Sequence, residues 1–212
     1  MNIYSDFRNH RGRPINKWLH YFPIYERHFS AWRNRTLVVW EIGVFRGGSL
    51  ELWSNYFGPM ATVVGIDIDP ACAAMTGPNI HVRIGSQSDR NFLRTIIDEF
   101  GTPDIIIDDG SHQSADIKAS FQFLYPQLSK NGIYVIEDQH TAYWTEFGDP
   151  ADSFITASKR MIDQLNADHS RGAIEPNFIT RHTLGISFYD SLVVFERGTL
   201  PLKTPFATGA TP

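Results

Sequence analysis

Ile105-Ile106-Ile107-Asp108-Asp109-Gly110-Ser111-His112 and Tyr134-Val135-Ile136-Glu137-Asp138-Gln139-His140 end alike, in paired acids with a histidine close behind. Apolar runs this short, rich in β-branched residues and bounded by glycine, suit strands buried on both faces of a parallel sheet. Ligands of open α/β sheets collect at the carboxyl ends of the strands. The two acidic clusters are therefore expected side by side in one crevice. Packed carboxylates repel unless a cation or a shared proton relieves them. Hard oxygen ligands without cysteine favour Mg2+, Mn2+ or Ca2+ over zinc. The pattern points to an enzyme, and to one that uses a metal ion.

Strand and helix patterns alternate on either side of these runs. Upstream, residues 37–42 and 62–67 read as strands, 48–57 as a helix, 81–85 as a shorter strand and 89–100 as a helix. The two quoted runs give strands over 104–109 and 132–138, separated by a helix over 114–128, and an amphipathic helix fits 152–168. Residues 180–188 and 192–196 flank Tyr189-Asp190-Ser191 as a hairpin. Alternation of this kind predicts an α/β fold. It is a Rossmann-like, seven-stranded, mostly parallel sheet with helices on both faces and a C-terminal antiparallel hairpin. The expected organisation is a basic, aromatic extension over 1–35, the α/β domain over 36–198, and a disordered Pro/Thr/Gly-rich tail over 199–212.

The turn after the first strand carries Glu41-Ile42-Gly43-Val44-Phe45-Arg46-Gly47-Gly48. A dinucleotide-binding turn would place glycine where Phe45 stands, so that backbone could reach a pyrophosphate. A bulky residue is tolerable beside a ligand without phosphates, such as S-adenosylmethionine. Glu41 could meet its ammonium group, with amides near Gly43, Gly47 and Ser49 on its carboxylate. Asp67, ending the second strand 24 residues after Gly43, suits a ribose diol, and Ser86 and Gln87 could flank adenine. The plainer alternative is a strand-to-helix connection, with Asp67 or Asp69 capping the helix after Pro70.

Composition narrows the class. The chain of 212 residues is 42% hydrophobic and 20% charged, as soluble globular proteins are. No apolar stretch approaches the roughly 18 residues that span a membrane, and no signal-peptide core is present. The lone Cys72 excludes an internal disulfide framework and, with the rest, suggests the cytoplasm. A net charge of −4 argues against general nucleic-acid binding. Residues 1–35 nevertheless hold seven Lys/Arg against two acids, with eight Tyr, Phe and Trp. Such a leader could cover the acidic crevice or bind an anion, but a packing face against the core or a second subunit is the simpler expectation.

Taken together, EIGVFRGGS, GIDIDP, GSQSD, IIIDDGSH and YVIEDQHTAYW resemble class I S-adenosylmethionine-dependent methyltransferases. More narrowly they resemble the metal-dependent sugar O-methyltransferases of macrolide biosynthesis, the mycinamicin and demethylmacrocin type, and their cephalosporin-hydroxylase-like relatives. The resemblance covers roughly residues 16–197. It implies Asp109, Glu137 and Asp138 as ligands of Mg2+ (or Mn2+), His112 as general base and a glycoside or polyhydroxylated small molecule as acceptor. Asp108, facing away from Asp109 if the strand stays extended, would line the cofactor side or tie down the loop. The chain is much shorter than the macrolide enzymes, so their large N-terminal domain is expected to have no counterpart here. Substrate pocket and subunit contacts are not carried over, and a homo-oligomer rests only on the aromatic leader.

Several assignments have rivals. His112 could cap the next helix or bond a carbonyl, and His140 is more often structural. Tyr143 and Trp144 suit either a sugar ring or the core. Lys17 and His20 are candidates to cover the cofactor pocket. Ser111 lacks a nucleophile-elbow pattern. For the whole chain the alternatives are a metal-independent methyltransferase and a non-catalytic cofactor-binding partner of an oxygenase. A nicotinamide-dependent dehydrogenase comes last because of Phe45.

Overall fold

The computed structural model describes residues 2–200 and 203–209. Seven strands form one sheet: β1 (Leu37–Ile42), β2 (Ala61–Asp67), β3 (Ile80–Ile84), β4 (Ile105–Asp108), β5 (Ile133–Ile136), β6 (Thr183–Phe188) and β7 (Val193–Arg197). Their order is β3-β2-β1-β4-β5-β7-β6, parallel throughout except that β7 runs antiparallel to both β5 and β6. The order reverses between β1 and β4, and a crevice opens there at the carboxyl ends. Register aligns the strand ends, pairing Ile42 with Asp108 and Asp108 with Ile136. The ladder runs one residue further, because Asp109 N–H donates to Ile42 O and Glu137 N–H to Asp108 O, each at 2.9 Å. Both acidic clusters thus leave the sheet at one level.

Helices cover the two faces. On one lie α1 (Ile3–Asn9), α2 (Phe22–Phe29) and α3 (Gly48–Phe57). Ile3, Phe22, Tyr25 and Phe29 share a core with Leu50, Trp53 and Phe57 of α3 and with Val39, Ile107 and Val135 of the sheet. On the other lie α4 (Arg90–Phe100), α5 (Ser114–Leu124), α6 (Phe154–Leu165) and α7 (Phe178–His182), packed on Trp40, Ile66, Ile106 and Tyr134. The odd and even residues of each central strand feed different cores, which is why the strands read as unbroken apolar runs.

Helix ends follow local chemistry. The Asp89 side chain accepts from Asn91 N–H and Phe92 N–H to start α4, which stops at Gly101 with φ +86°. α5 is shorter than its pattern, ending at Leu124 because Pro126 has no N–H to carry the helical ladder on, and a 3-10 turn follows. The helix expected over 152–168 is α6 with a separate 3-10 turn at either end, Ser153 capping its start. Asn177 and Thr180 form a capping box that begins α7 where the pattern suggested strand. Among the described residues no helix is long and apolar enough to cross a membrane. The expected tail falls partly on residues 201, 202 and 210–212, which lie outside those described. Residues 203–208 have no regular structure, and Lys203 Nζ donates to Thr180 O (3.0 Å).

Candidate active site

The glycine turn is built by close approach. Gly43 has φ +94°, and a Cβ there would lie 2.1 Å from Asp109 O, so only glycine lets the β1 turn cross the end of β4. A Cβ on Gly48 would meet Pro14 O at 2.3 Å, where the leader passes over the start of α3. Phe45 takes the left-handed backbone (φ +51°) that a glycine would supply and turns its ring outward, 65% exposed. Asp67 Oδ2 accepts from Val44 N–H (2.8 Å) and Phe45 N–H (3.2 Å), fixing the turn from the end of β2.

Two cavities adjoin this turn. One, of about 170 Å3, is lined by Gly43, Asp67, Ile68, Ser86, Gln87 and Ser111 among others. The second, of about 420 Å3, is lined by Lys17, Gly43, Ser49, Asp109, His112 and Asp138 among others. Gly43, Asp67 and Gly110 border both, so the two form one cleft along the strand ends. Behind it, Gln87 donates to Asp108 Oδ1 (3.1 Å) and accepts from Ser111 N–H (2.9 Å). Asp108 is buried and also accepts from Ser120 (2.8 Å) and Tyr134 (3.0 Å). Burial pushes its carboxyl up to about 6 despite those three donors. Asp108 therefore ties down the loop from behind the cleft, and its neighbour Asp109 faces the cleft itself.

At the other end of the cleft the acids gather. Asp109, His112 and Asp138 each present one donor atom, all within 4.8 Å of one another. His112 Nε2 stands 3.8 Å from Asp138 Oδ2. Both residues hold left-handed backbones, φ +57° and +52°, each costing about 1 kcal/mol or more. Oxygen and imidazole donors without sulfur suit a hard divalent ion. Glu137 stands apart from this trio, fully buried: Tyr25 Oη–H donates to one of its oxygens (2.6 Å) and Lys17 Nζ to the other (2.8 Å). Lys17 Nζ also donates to Asp109 Oδ2 (2.5 Å) and lies 3.5 Å from Glu41 Oε1. Burial pulls its pKa down, but the three carboxylates outweigh that and hold the ammonium well above an ordinary lysine. Burial pushes Glu137 upward, with Lys17 pulling it back. Glu41, buried at the end of β1, is likewise raised by burial while Lys17, Ser49 (2.7 Å) and Trp53 (3.0 Å) oppose the shift.

The leader thus supplies three side chains to the crevice: Lys17, Tyr25 and Tyr21, whose hydroxyl donates to Asp138 Oδ1 (2.6 Å). Neither tyrosine is visible as a site residue from sequence; the only signal is a basic, aromatic segment in an acidic protein. His20 lies exposed beside Trp18 rather than in the cleft. Outside, Trp18, His140 and Trp144 meet edge to face, Phe147 packs at a tilt on Trp144, and Phe147 meets the ring of His112 at 6.1 Å. Tyr143 and Trp144 face solvent instead of the core.

The chain is similar in sequence and fold to known enzymes. The mycinamicin VI 2''-O-methyltransferase of Micromonospora griseorubida is 36% identical over 213 residues, 92% of this chain and 52% of its own length. The 8-demethyl-8-alpha-L-rhamnosyl tetracenomycin-C 2'-O-methyltransferase of Streptomyces olivaceus is 37% identical over 86% of this chain and 52% of its own. The solved structure of the MycE methyltransferase from the mycinamycin pathway, in complex with Mg, SAH and mycinamycin VI, superposes with a TM-score of 0.80. It is 32% identical over 96% of this chain and 55% of its own. The chain is a homologue of these sugar O-methyltransferases. It spans about half the length of the methyltransferases it matches. No protein-family model matches it. The seven-stranded sheet with its closing hairpin is the Rossmann-like methyltransferase fold.

Proposed function

We propose that the chain is an S-adenosylmethionine- and Mg2+-dependent O-methyltransferase acting on a hydroxyl of a glycoside or polyhydroxylated small molecule. The observation that carries this reading is the convergence of Asp109, Asp138 and His112 in the cavity lined by the Gly43–Ser49 turn, two carboxylates to hold an ion and an imidazole beside them to take a proton. Homology to enzymes whose names specify sugar O-methylation, and likeness to a structure holding Mg and SAH, support it. Residues 36–198 would form the methyltransferase unit, and the leader would complete its crevice. The setting in this proposal is the cytoplasm.

Each side chain then has a task. Glu41 and the amides from Gly47 to Ser49 would hold the amino-acid end of the cofactor, Asp67 its ribose, and Ser86 and Gln87 its base. Asp109 and Asp138, with Glu137 behind them, would hold the divalent ion. That ion would make an acceptor hydroxyl more acidic and keep it in place. His112 takes the hydroxyl proton, with Asp138 beside its ring to stabilise the imidazolium. S-adenosylmethionine would supply the methyl group to the deprotonated oxygen, its sulfonium leaving as a neutral thioether. Trp18, His140 and Trp144 would form an aromatic wall for the acceptor's sugar ring.

The deciding experiment is calorimetric titration of S-adenosylmethionine into metal-free protein, then of Mg2+ into that complex, repeated with Asp109→Ala. Cofactor binding followed by an Mg2+ response lost in the variant is expected. No cofactor binding would remove the methyltransferase reading. The second reading, a metal-independent methyltransferase, is favoured by one observation: Lys17 already sets a positive charge among Asp109, Glu137 and Glu41. Full turnover in EDTA would establish it.

A further inference from the structure

Lys17 has no role in the chemistry above, yet it is the most deeply committed cation in the crevice. Its side chain is only 3% exposed, and its Nζ contacts three acids on the ends of three adjacent strands. Two of them, Asp109 and Glu137, are among the residues proposed to hold Mg2+. Nζ sits between Asp109 Oδ2 and Glu137 Oε2. A divalent ion held by Asp109 and Glu137 would draw on the carboxylate oxygens that Nζ already engages. Two cations cannot share the position between them.

The remaining oxygen of Glu137 is not available either, since Tyr25 donates to it from within the packed ring cluster of Phe29 and Trp53. Lys17 is the looser partner. It lies on a stretch between α1 and the turn Leu19–Tyr21 that has no helix or strand, and a lysine ammonium rides on a flexible four-carbon stem.

We infer that Lys17 is a positioning residue of the metal centre, and that its ammonium and the divalent ion are alternative partners for the Asp109 and Glu137 oxygens. In metal-free protein Lys17 keeps the carboxylates ordered and apart from one another's repulsion. On loading, the ion takes those oxygens and Lys17 gives way. Metal affinity is therefore set by a side chain that is not a ligand. This inference rests on the metal-dependent reading above.

Calorimetry of MgCl2 into the cofactor complex of three proteins tests it: wild type, Lys17→Met and Lys17→Arg. Lys17→Met removes the competitor and should tighten Mg2+ binding roughly ten- to hundredfold, the worth of a charged hydrogen bond. Lys17→Arg keeps the charge and grips two carboxylates with a planar fork, so it should weaken binding. Opposite shifts in the two variants are the signature, because a merely structural lysine would weaken binding in both. Should Lys17→Met fail to fold without metal, Lys17→Arg still decides: affinity equal to or tighter than wild type overturns the inference. Heat in wild type but no change in either variant overturns it as well. No Mg2+ heat in any of the three would remove the metal reading itself, and this inference with it.

Discussion

His112 and Asp138 both sit in the left-handed region, where only a surrounding structure that over-determines them will hold a non-glycine residue. The local cost aims an imidazole and a carboxylate at one point from the ends of two strands. His112→Ala is expected to lower kcat by at least 100-fold while leaving calorimetric S-adenosylmethionine binding nearly intact. Near-wild-type turnover would take His112 out of the mechanism. Asp108 offers a test of the ground behind the site. Its folded pKa, about 6, is raised from the ordinary 3.8 by burial. A raised folded pKa contributes stability that is fully present below the unfolded value and lost as pH rises through the folded one. Relative to Asp108→Asn, the wild type should lose up to about 3 kcal/mol between pH 4 and 7. Urea titrations of both proteins across that range measure it, and a pH-independent difference would contradict it. The acid pairs, the histidine and the glycine turn were legible in the sequence because each lies within a few residues of a strand end. Tyr21 and Tyr25 were not, and Lys17 was legible only as a candidate cover for the cofactor pocket, because their acidic partners lie 117, 112 and 120 residues away. No local pattern encodes such a meeting.

Among the elements, α2 joins packing to chemistry. Phe22, Tyr25 and Phe29 bury one face of it against α3, and the same helix delivers the Tyr25 hydroxyl to Glu137. Phe29→Ala should cost about 3–5 kcal/mol through the cavity it leaves beside Trp53 and Phe57. It should also weaken Mg2+ binding, since Tyr25 stacks on that ring. Chemical denaturation and calorimetry on one preparation would show both losses; stability lost with metal affinity unchanged would separate the helix from the site. The leader was expected either to pack on the core or to cover the crevice. Its aromatic stripe does the first, and Lys17 and the two tyrosine hydroxyls do the second. α7 escaped the sequence pattern because five residues between a capping box and a strand are too few for helical periodicity to register.

For the molecule as a whole, the sheet brings Glu41, Asp109, Glu137 and Asp138 to one end of a protein that already carries a net charge of −4. Ligands that bind only the folded state should therefore be strongly stabilising. At 100 times its Kd, Mg2+ added to the cofactor complex is worth about 2.7 kcal/mol. For a chain of this size that corresponds to roughly 5–10 °C in Tm. A melting series with Mg2+ and with EDTA measures it, and superimposable curves would contradict a metal that binds the native crevice. The mostly parallel sheet with its closing hairpin was legible at this scale because β-branched runs alternating with helical patterns leave few right-handed topologies.

The distance along the chain between Lys17 and Glu137 has a meaning during synthesis. A ribosome adding about 5–20 residues per second needs on the order of ten seconds to pass from one to the other. For most of that interval Tyr21, Phe22, Tyr25 and Phe29 have been made while the strands they pack on are still incomplete. The nascent segment that will finish the crevice is, until then, an aromatic and basic stretch of the kind that chaperones bind.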